Sequence, residues 1–360
     1  MIHVDTAWEH FNKHSYAQRK VNKNKKLNLL FPKCSEIYIS TKTKIAYLNQ
    51  DIDLSAIFWE IPSLQYQERK EGVLKKQMKI NCLCDTDVEE LEKKIDIIKK
   101  TDTCINVDIL KQVKEGRKTK FKDTRKVNIG LNAKDLITFR KKKKGAFYNC
   151  FVLILRIWTG ITFKEIHVKV FNTGKLEIPG IRDENLLLKA LDLIIKILQP
   201  YKEKLLCYKP ESIQTVLINS NFSCNYYINR EKLCSILKYK YYINVIFDSC
   251  SYPGIQCKFY YNKNNIKHEG ICRCKNKCNK KGSGQGEGQC KEISFMIFRT
   301  GSVLIVGNCT EKILNIIYIF LKGVFKEEYG EIAIEGDVNK APKKKKRVRK
   351  KKIFIVNKSN

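Results

Sequence analysis

At 360 residues and 43% hydrophobic composition, the chain carries apolar material for one large core or two ordinary ones, which excludes a wholly disordered protein. Its 70 basic residues against 37 acidic ones give a net charge of +33, far beyond what solubility needs, and point to a polyanionic partner, nucleic acid foremost. The longest apolar runs, 151–157 and 313–321, are too short to cross a bilayer, and the basic residues are spread along the chain rather than set on one amphipathic helix, so no membrane partner is expected.

Residues 1–33 are polar and Lys-rich and read as a basic N-terminal arm. The first residues lack a continuous apolar segment, so export is not expected and the fifteen cysteines should be thiols in a reducing, intracellular compartment. From 36 to 48, EIYISTKTKIAYL has the β-branched content of a strand, and Asp53 can cap a short helix through Trp59 that stops before Pro62. Residues 63–144 hold a strand-like GVLKKQMKINCLC, an acidic helix around 88–98 and a Lys-rich stretch ending in RKKKKGAF, and read as a large insertion. A buried strand, FYNCFVLILRI at 147–157, follows it.

The stretch 167–198 then recurs at 295–325 with a constant offset of 127 residues: Val170 falls on Ile297, Phe171 on Phe298, Thr173 on Thr300, Gly174 on Gly301, Gly180 on Gly307 and Leu187 on Leu314. This register argues for an internal duplication. Each copy reads as a strand ending in Phe, a tight turn carrying Gly, a returning strand, and a helix. The helices place Leu187, Leu191, Ile194 and Leu198, or Leu314, Tyr318, Leu321 and Phe325, on one stripe. The opening strand and helix also recur, as IQTVLINSNFSCNYYI at 213–228 and NREKLCSILK at 229–238, and SYPGIQCKFYY at 251–261 stands where 147–157 stands in the first half. The chain is therefore partitioned as arm 1–33, first repeat 34–208 with the insertion at about 63–144, second repeat 209–330 with a Cys-rich insertion at about 262–291, and basic C-terminal tail 331–360.

Strand alternation gives the faces. In the second copy Met296, Phe298, Leu304 and Val306 share one face, opposite Ile297, Val303 and Ile305, so both faces are apolar. In the first copy the matching face carries Lys169, Phe171, Glu177 and Pro179, opposite Val168, Val170, Leu176 and Ile178, and a Lys169–Glu177 pair across the hairpin would neutralise its carboxylate. In the second insertion, Cys272, Cys274, Cys278 and Cys290 suit a tetrahedral zinc site in a loop with no core of its own, with reduced free thiols as the alternative. The run 342–352 holds nine basic residues and reads as a nuclear import signal or a DNA-binding tail. The five histidines are scattered, and no phosphate-binding glycine loop, nucleotide fingerprint or catalytic carboxylate pair stands out, so an enzyme is not expected.

The duplicated strand, helix, strand, hairpin, strand and long helix, with VFNTGKLEIPG, IFRTGSVLIVG and SYPGIQCKFYY, resembles the TATA-box-binding protein family over roughly 36–61, 145–261 and 292–326. With these insertions it is most similar to the divergent TATA-binding-protein-like factors of large DNA viruses. The resemblance implies an α+β saddle: a curved antiparallel sheet lying with its concave face on the minor groove, and helices on the convex face. In the family two pairs of Phe wedge between base steps and kink the duplex by about 80°. Carried over by position, one pair is Phe147, or alternatively Phe151, with Phe171, and the other is Tyr252 with Phe298. Pro179 and Val306 stand where the family has Thr, and the family's strand Asn falls on Ile37 and Leu217, or with a shift on Asn219. The implied function is a general transcription initiation factor that binds and bends double-stranded promoter DNA and recruits a TFIIB-like factor, at the loop carrying the cysteines, and RNA polymerase. The alternative is a non-specific architectural or packaging DNA-binding protein with the same saddle. The implied location is the host nucleus or a cytoplasmic virus factory, with packaging in the virion.

Overall fold

The computed structural model describes residues 31–101, 104–113, 120–137, 147–275, 278, 281–285 and 287–334. The arm before residue 31, the Lys-rich stretch at 138–146 and the run 342–352 lie outside the described residues. The described chain divides into two compact units, a larger one of 39–220 with 305–310 and a smaller one of 31–38, 221–304 and 311–334.

The larger unit runs β1 (Tyr38–Tyr47), α1 (Leu54–Glu60), β2 (Gly72–Cys82), α2 (Asp85–Lys99), β3 (Ile105–Val113), β4 (Lys122–Gly130), α3 (Ala133–Ile137), β5 (Cys150–Trp158), β6 (Phe163–Phe171), β7 (Lys175–Pro179), α4 (Glu184–Leu198) and β8 (Gln214–Ser223). The smaller unit continues with β9 (Tyr227–Ile228), α5 (Arg230–Tyr239), β10 (Asn244–Ile246), β11 (Gly254–Tyr261), β12 (Lys291–Phe298), β13 (Ser302–Gly307), α6 (Glu311–Glu327), α7 (Tyr329–Ile332) and β14 (Ala333–Ile334). The fold class is α+β, as expected, with antiparallel strand pairing.

Strand order carries the duplication. In the larger unit the strands lie β8-β1-β7-β6-β5-β2-β4-β3, and in the smaller unit β13-β12-β11-β10 repeats the order β7-β6-β5-β2. Long β2 thus takes the place that three-residue β10 takes in the second repeat, and within the expected insertion at 63–144 only α2, β3, β4 and α3 have no counterpart. The sequence hid this because β10 is too short to leave a periodic signal.

The same hydrogen bonds fasten both repeats. Leu48 N donates to Gly174 O at 2.9 Å and Ile52 N to Asn172 O at 2.7 Å; Cys224 N donates to Gly301 O and Ile228 N to Arg299 O, both at 2.9 Å. Gly174 and Gly301 adopt φ of 69° and 76°. A Cβ there would lie 2.4 Å from Gln50 O or 2.2 Å from Tyr226 O, so only glycine lets the hairpin close on the neighbouring chain. The first helix of each repeat is N-capped as its sequence implies, Asp53 accepting from Ser55 N and Ala56 N, and Asn229 from Lys232 N, worth about 1 kcal/mol per cap.

The long helices supply the core. Leu187, Leu191, Ile194 and Leu198 of α4, and Leu314, Tyr318, Leu321 and Phe325 of α6, are all buried. They belong to the same cores as the inward strand residues: Val168, Val170, Leu176 and Ile178 in the larger unit, and Phe295, Ile297 and Val303 in the smaller, have no exposed surface. Lys76 points into the helix side of β2, where its Nζ donates to the carbonyls of Phe58, Trp59 and Ile61 at 2.7, 2.9 and 2.6 Å and so closes the C-terminus of α1. Burial, opposed by the Glu60 carboxylate, lowers its pKa to about 8.

Candidate nucleic-acid interface

Because one sheet face packs on helices, the alternate residues of each strand form a second face. In the smaller unit that face carries Gly254, Gln256 and Lys258 of β11 opposite Phe298, Met296 and Ser294 of β12. Met296, Phe298 and Leu304 are half-buried, while Phe295, Ile297 and Val303 between them are fully buried. Val306 lies on the same side of β13 as Leu304 and is also half-buried. Tyr252 reaches this face from the turn before β11: its ring stands edge to face with Phe298 at 6.0 Å, and its hydroxyl contacts Met296 Sδ at 3.5 Å. A Cβ on Gly254 would sit 3.0 Å from both rings, so the aromatic pair needs this glycine beneath it.

The larger unit builds the same face differently. Lys169 pairs in register with Glu177, and the expected ion pair forms at 2.6 Å with both side chains about one-fifth exposed. Lys169 Nζ also lies 4.2 Å from the Phe147 ring centroid, and Lys175 Nζ 5.5 Å from that of Phe171. Phe147 is 62% exposed, whereas Phe151 is fully buried beside Phe58 on the helix side and so does not belong to this face. The register adds a residue that sequence reading missed. Tyr252 stands two residues before Gly254, the partner of Phe298, and Tyr148 stands two before Cys150, the partner of Phe171. Only strand pairing reveals this equivalence, because the insertion obscures the alignment at 147–150. Tyr148 is turned toward β2, with Lys79 Nζ 3.4 Å above its ring.

Part of this face is covered by the chain itself. The segment after β4 lies across β2, β5 and β6: Asp135 takes Lys75 Nζ at 2.7 Å, and Ala133 N donates to the Glu165 carboxylate at 3.0 Å. Ile154 is thereby 1% exposed, although it points away from α1, α2 and α4, because α3 and the turn before it cover it on this side. Burial, with Lys134 and Lys75 adding repulsion, lowers the pKa of His167 beneath the segment. On β8, Asn219 also lies on the helix-free side, and its buried Oδ1 has no hydrogen-bond partner.

The β11–β12 hairpin carries the Cys-rich loop, as expected. The sulfurs of Cys272, Cys274, Cys278 and Cys290 all lie within 4.8 Å of one another, with Cys272–Cys278 at 3.6 Å and Cys272–Cys290 at 3.9 Å. Tetrahedral thiolate coordination with metal–sulfur bonds of about 2.3 Å places sulfurs about 3.8 Å apart, so the four residues fit a metal ion. All are free thiols. Burial disfavours the thiolate at Cys278, but Gly282 N–H and the neighbouring thiols outweigh it and lower the pKa. Asn262 Nδ2 donates to Cys274 Sγ at 3.6 Å. The cluster packs on Tyr260, at the end of the helix-free face.

No family model matches the chain. A TATA-box-binding protein-like protein of Acanthamoeba polyphaga mimivirus is 24% identical over 256 residues, 65% of this chain and 64% of the relative's length. The solved structure of Methanococcus jannaschii TBP aligns with 82% of this chain and 99% of its own, at 11% identity and a TM-score of 0.37. The chain is thus similar in sequence, over about two thirds of its length, to a viral TATA-box-binding protein-like protein, the resemblance that its paired Phe-x-Thr-Gly segments imply.

Proposed function

We propose that the protein is a non-enzymatic, DNA-binding transcription initiation factor that lies with its helix-free sheet face in the minor groove and bends promoter DNA. The observation that carries this is the Tyr252–Phe298 pair, flanked by half-buried Met296 and Leu304 on the strand face turned away from the described helices of its unit. An apolar wedge on such a face repays base unstacking only against a close-fitting surface, and this half of the molecule has one. The net charge of +33 supplies the attraction to phosphate. In the larger unit, Asn219 adds an amide on the helix-free side of β8 whose Oδ1 has no partner among the described residues, suited to the few groups that the minor groove offers. The viral relative, a TATA-box-binding protein-like protein, agrees with this reading. Recruitment of a TFIIB-like factor and RNA polymerase belongs to the same proposal, as do zinc at the four cysteines and action in the nucleus or a virus factory.

A second reading, an architectural DNA-binding protein without promoter choice, is favoured by the ion-paired Lys169–Glu177 surface and by the segment lying over Ile154. Both leave the first repeat less able to read a groove. Mapping bound positions along the genome separates the two: sharp peaks upstream of transcription starts support the initiation factor, and a flat profile supports the architectural role. Absence of duplex binding rejects both.

A further inference from the structure

The two strands that the insertion adds, β4 and β3, have a helix side and a free side like the rest of the larger unit's sheet. On the helix side Val127 and Ile129 enter the core, and Arg125 is paired with Asp123 and Glu92. The free side is polar. Gln77 Nε2 donates to Asn128 Oδ1 at 2.8 Å, and Thr124 Oγ1 to Asn81 Oδ1 at 3.0 Å, which fixes the rows across β2 and β4. At the end of these rows Lys79 of β2, Lys111 of β3 and Lys122 of β4 converge with Tyr148 around a hollow of about 480 Å³.

Among the described residues no carboxylate lines that hollow, and none of the three lysines has an ion-pair partner. Asp108, the acid of this face in the row of Lys79 and Lys126, accepts from Asn128 Nδ2 at 3.5 Å, and Asp123 and Glu92 pair with Arg125 on the other face. Converging ammonium groups repel one another unless an anion lies between them, and the hollow is open to receive one. Tyr148 is half exposed and offers a hydroxyl donor at the rim. A hydrogen bond from Lys79, with Lys122 and Lys111 nearby, lowers its pKa and makes it a better donor to phosphate oxygens.

We propose that Lys79, Lys111, Lys122 and Tyr148 form a phosphodiester-binding site that holds the backbone of double-stranded DNA beyond the strands shared by the two repeats. This rests on the reading of the protein as a duplex-binding factor and extends its footprint. Two added strands at about 4.8 Å spacing widen the face by about 10 Å, the rise of about three base pairs. The insertion thereby contributes grip without base readout, since phosphate contacts position a duplex and carry no sequence information.

The test is the salt dependence of binding to a duplex of about 30 base pairs, long enough to pass the added strands at 3.4 Å per base pair. A triple variant, Lys79→Gln, Lys111→Gln and Lys122→Gln, is set against a control with the same charge loss on the helix side, Lys93→Gln, Lys100→Gln and Lys196→Gln. Loss of about two phosphate contacts should flatten the slope of log K against log salt by about 1.8, and weaken binding about 50-fold at roughly 0.1 M salt. The control should change neither by more than a few-fold. Equal behaviour of the two triple variants overturns the site while leaving the duplex-binding reading standing. A wild-type protein without duplex affinity overturns both. If the first triple variant does not fold, Lys122→Gln alone carries the test through a slope change of about 0.9.

Discussion

Phe298 and Phe171 occupy equivalent places in the two repeats, yet their surroundings predict unequal work in bending. Phe298→Ala removes a ring that stands 6.0 Å from Tyr252 over a half-buried apolar surface. A ring–base contact is worth about 2 kcal/mol and the ring pair that aligns it about 1 kcal/mol. The expected loss of about 3 kcal/mol is about 150-fold in affinity, with most of the bend. Phe171 must leave the Lys175 ammonium, 5.5 Å away, before it can insert, which costs about 0.5 to 1 kcal/mol. Insertion also dries the Lys169–Glu177 pair, whose desolvation offsets much of what the ring would gain. Phe171→Ala should therefore cost about 1 kcal/mol, roughly fivefold, with a modest loss of bend. The assay is energy transfer between dyes on the two duplex ends at matched saturation. Equal losses would refute the asymmetry argued from these contacts, and no loss in either variant would show that DNA does not lie on this face.

Protein made in zinc-containing medium should hold about one zinc per chain, and Cys278→Ser should reduce it; substoichiometric metal that this change leaves untouched refutes the site. Lys76 has a folded pKa near 8 against 10.5 unfolded, so between these values the unfolded chain holds a proton that the folded chain has lost, and stability rises with pH across that window. The shift corresponds to a gain of about 3 kcal/mol across the window. Denaturant unfolding between pH 7.5 and 10.5 should show this rise in wild type relative to Lys76→Met, and a pH-independent difference refutes it. Deleting 342–352 should flatten the salt slope of DNA binding; an unchanged slope and affinity would make that run an address signal rather than a DNA contact.

Patterns of period two and 3.6, together with a constant offset between copies, were enough to determine the repeated strands, the long helices and the faces on which Phe171 and Phe298 lie. These features are local: alternation places Met296, Phe298 and Leu304 on one side whatever the strand pairs with, and Asp53 and Asn229 cap helices through bonds spanning two or three residues. The four cysteines were also legible, because they belong to one short loop. Tertiary structure alone decided the rest. That β2 answers to β10 and that β3 and β4 extend the sheet depend on pairings between distant residues, which leave no periodic mark. Tyr148 became visible as the counterpart of Tyr252 only through the partners of Phe171 and Phe298. The closure of the first repeat's free face by Asp135 and Ala133, and the meeting of Lys79, Lys111 and Lys122, arise from side chains up to 60 residues apart. Charge gives no hint of such convergence along the chain, because a lysine reads alike in sequence whether it caps a helix, covers an aromatic ring or waits for an anion.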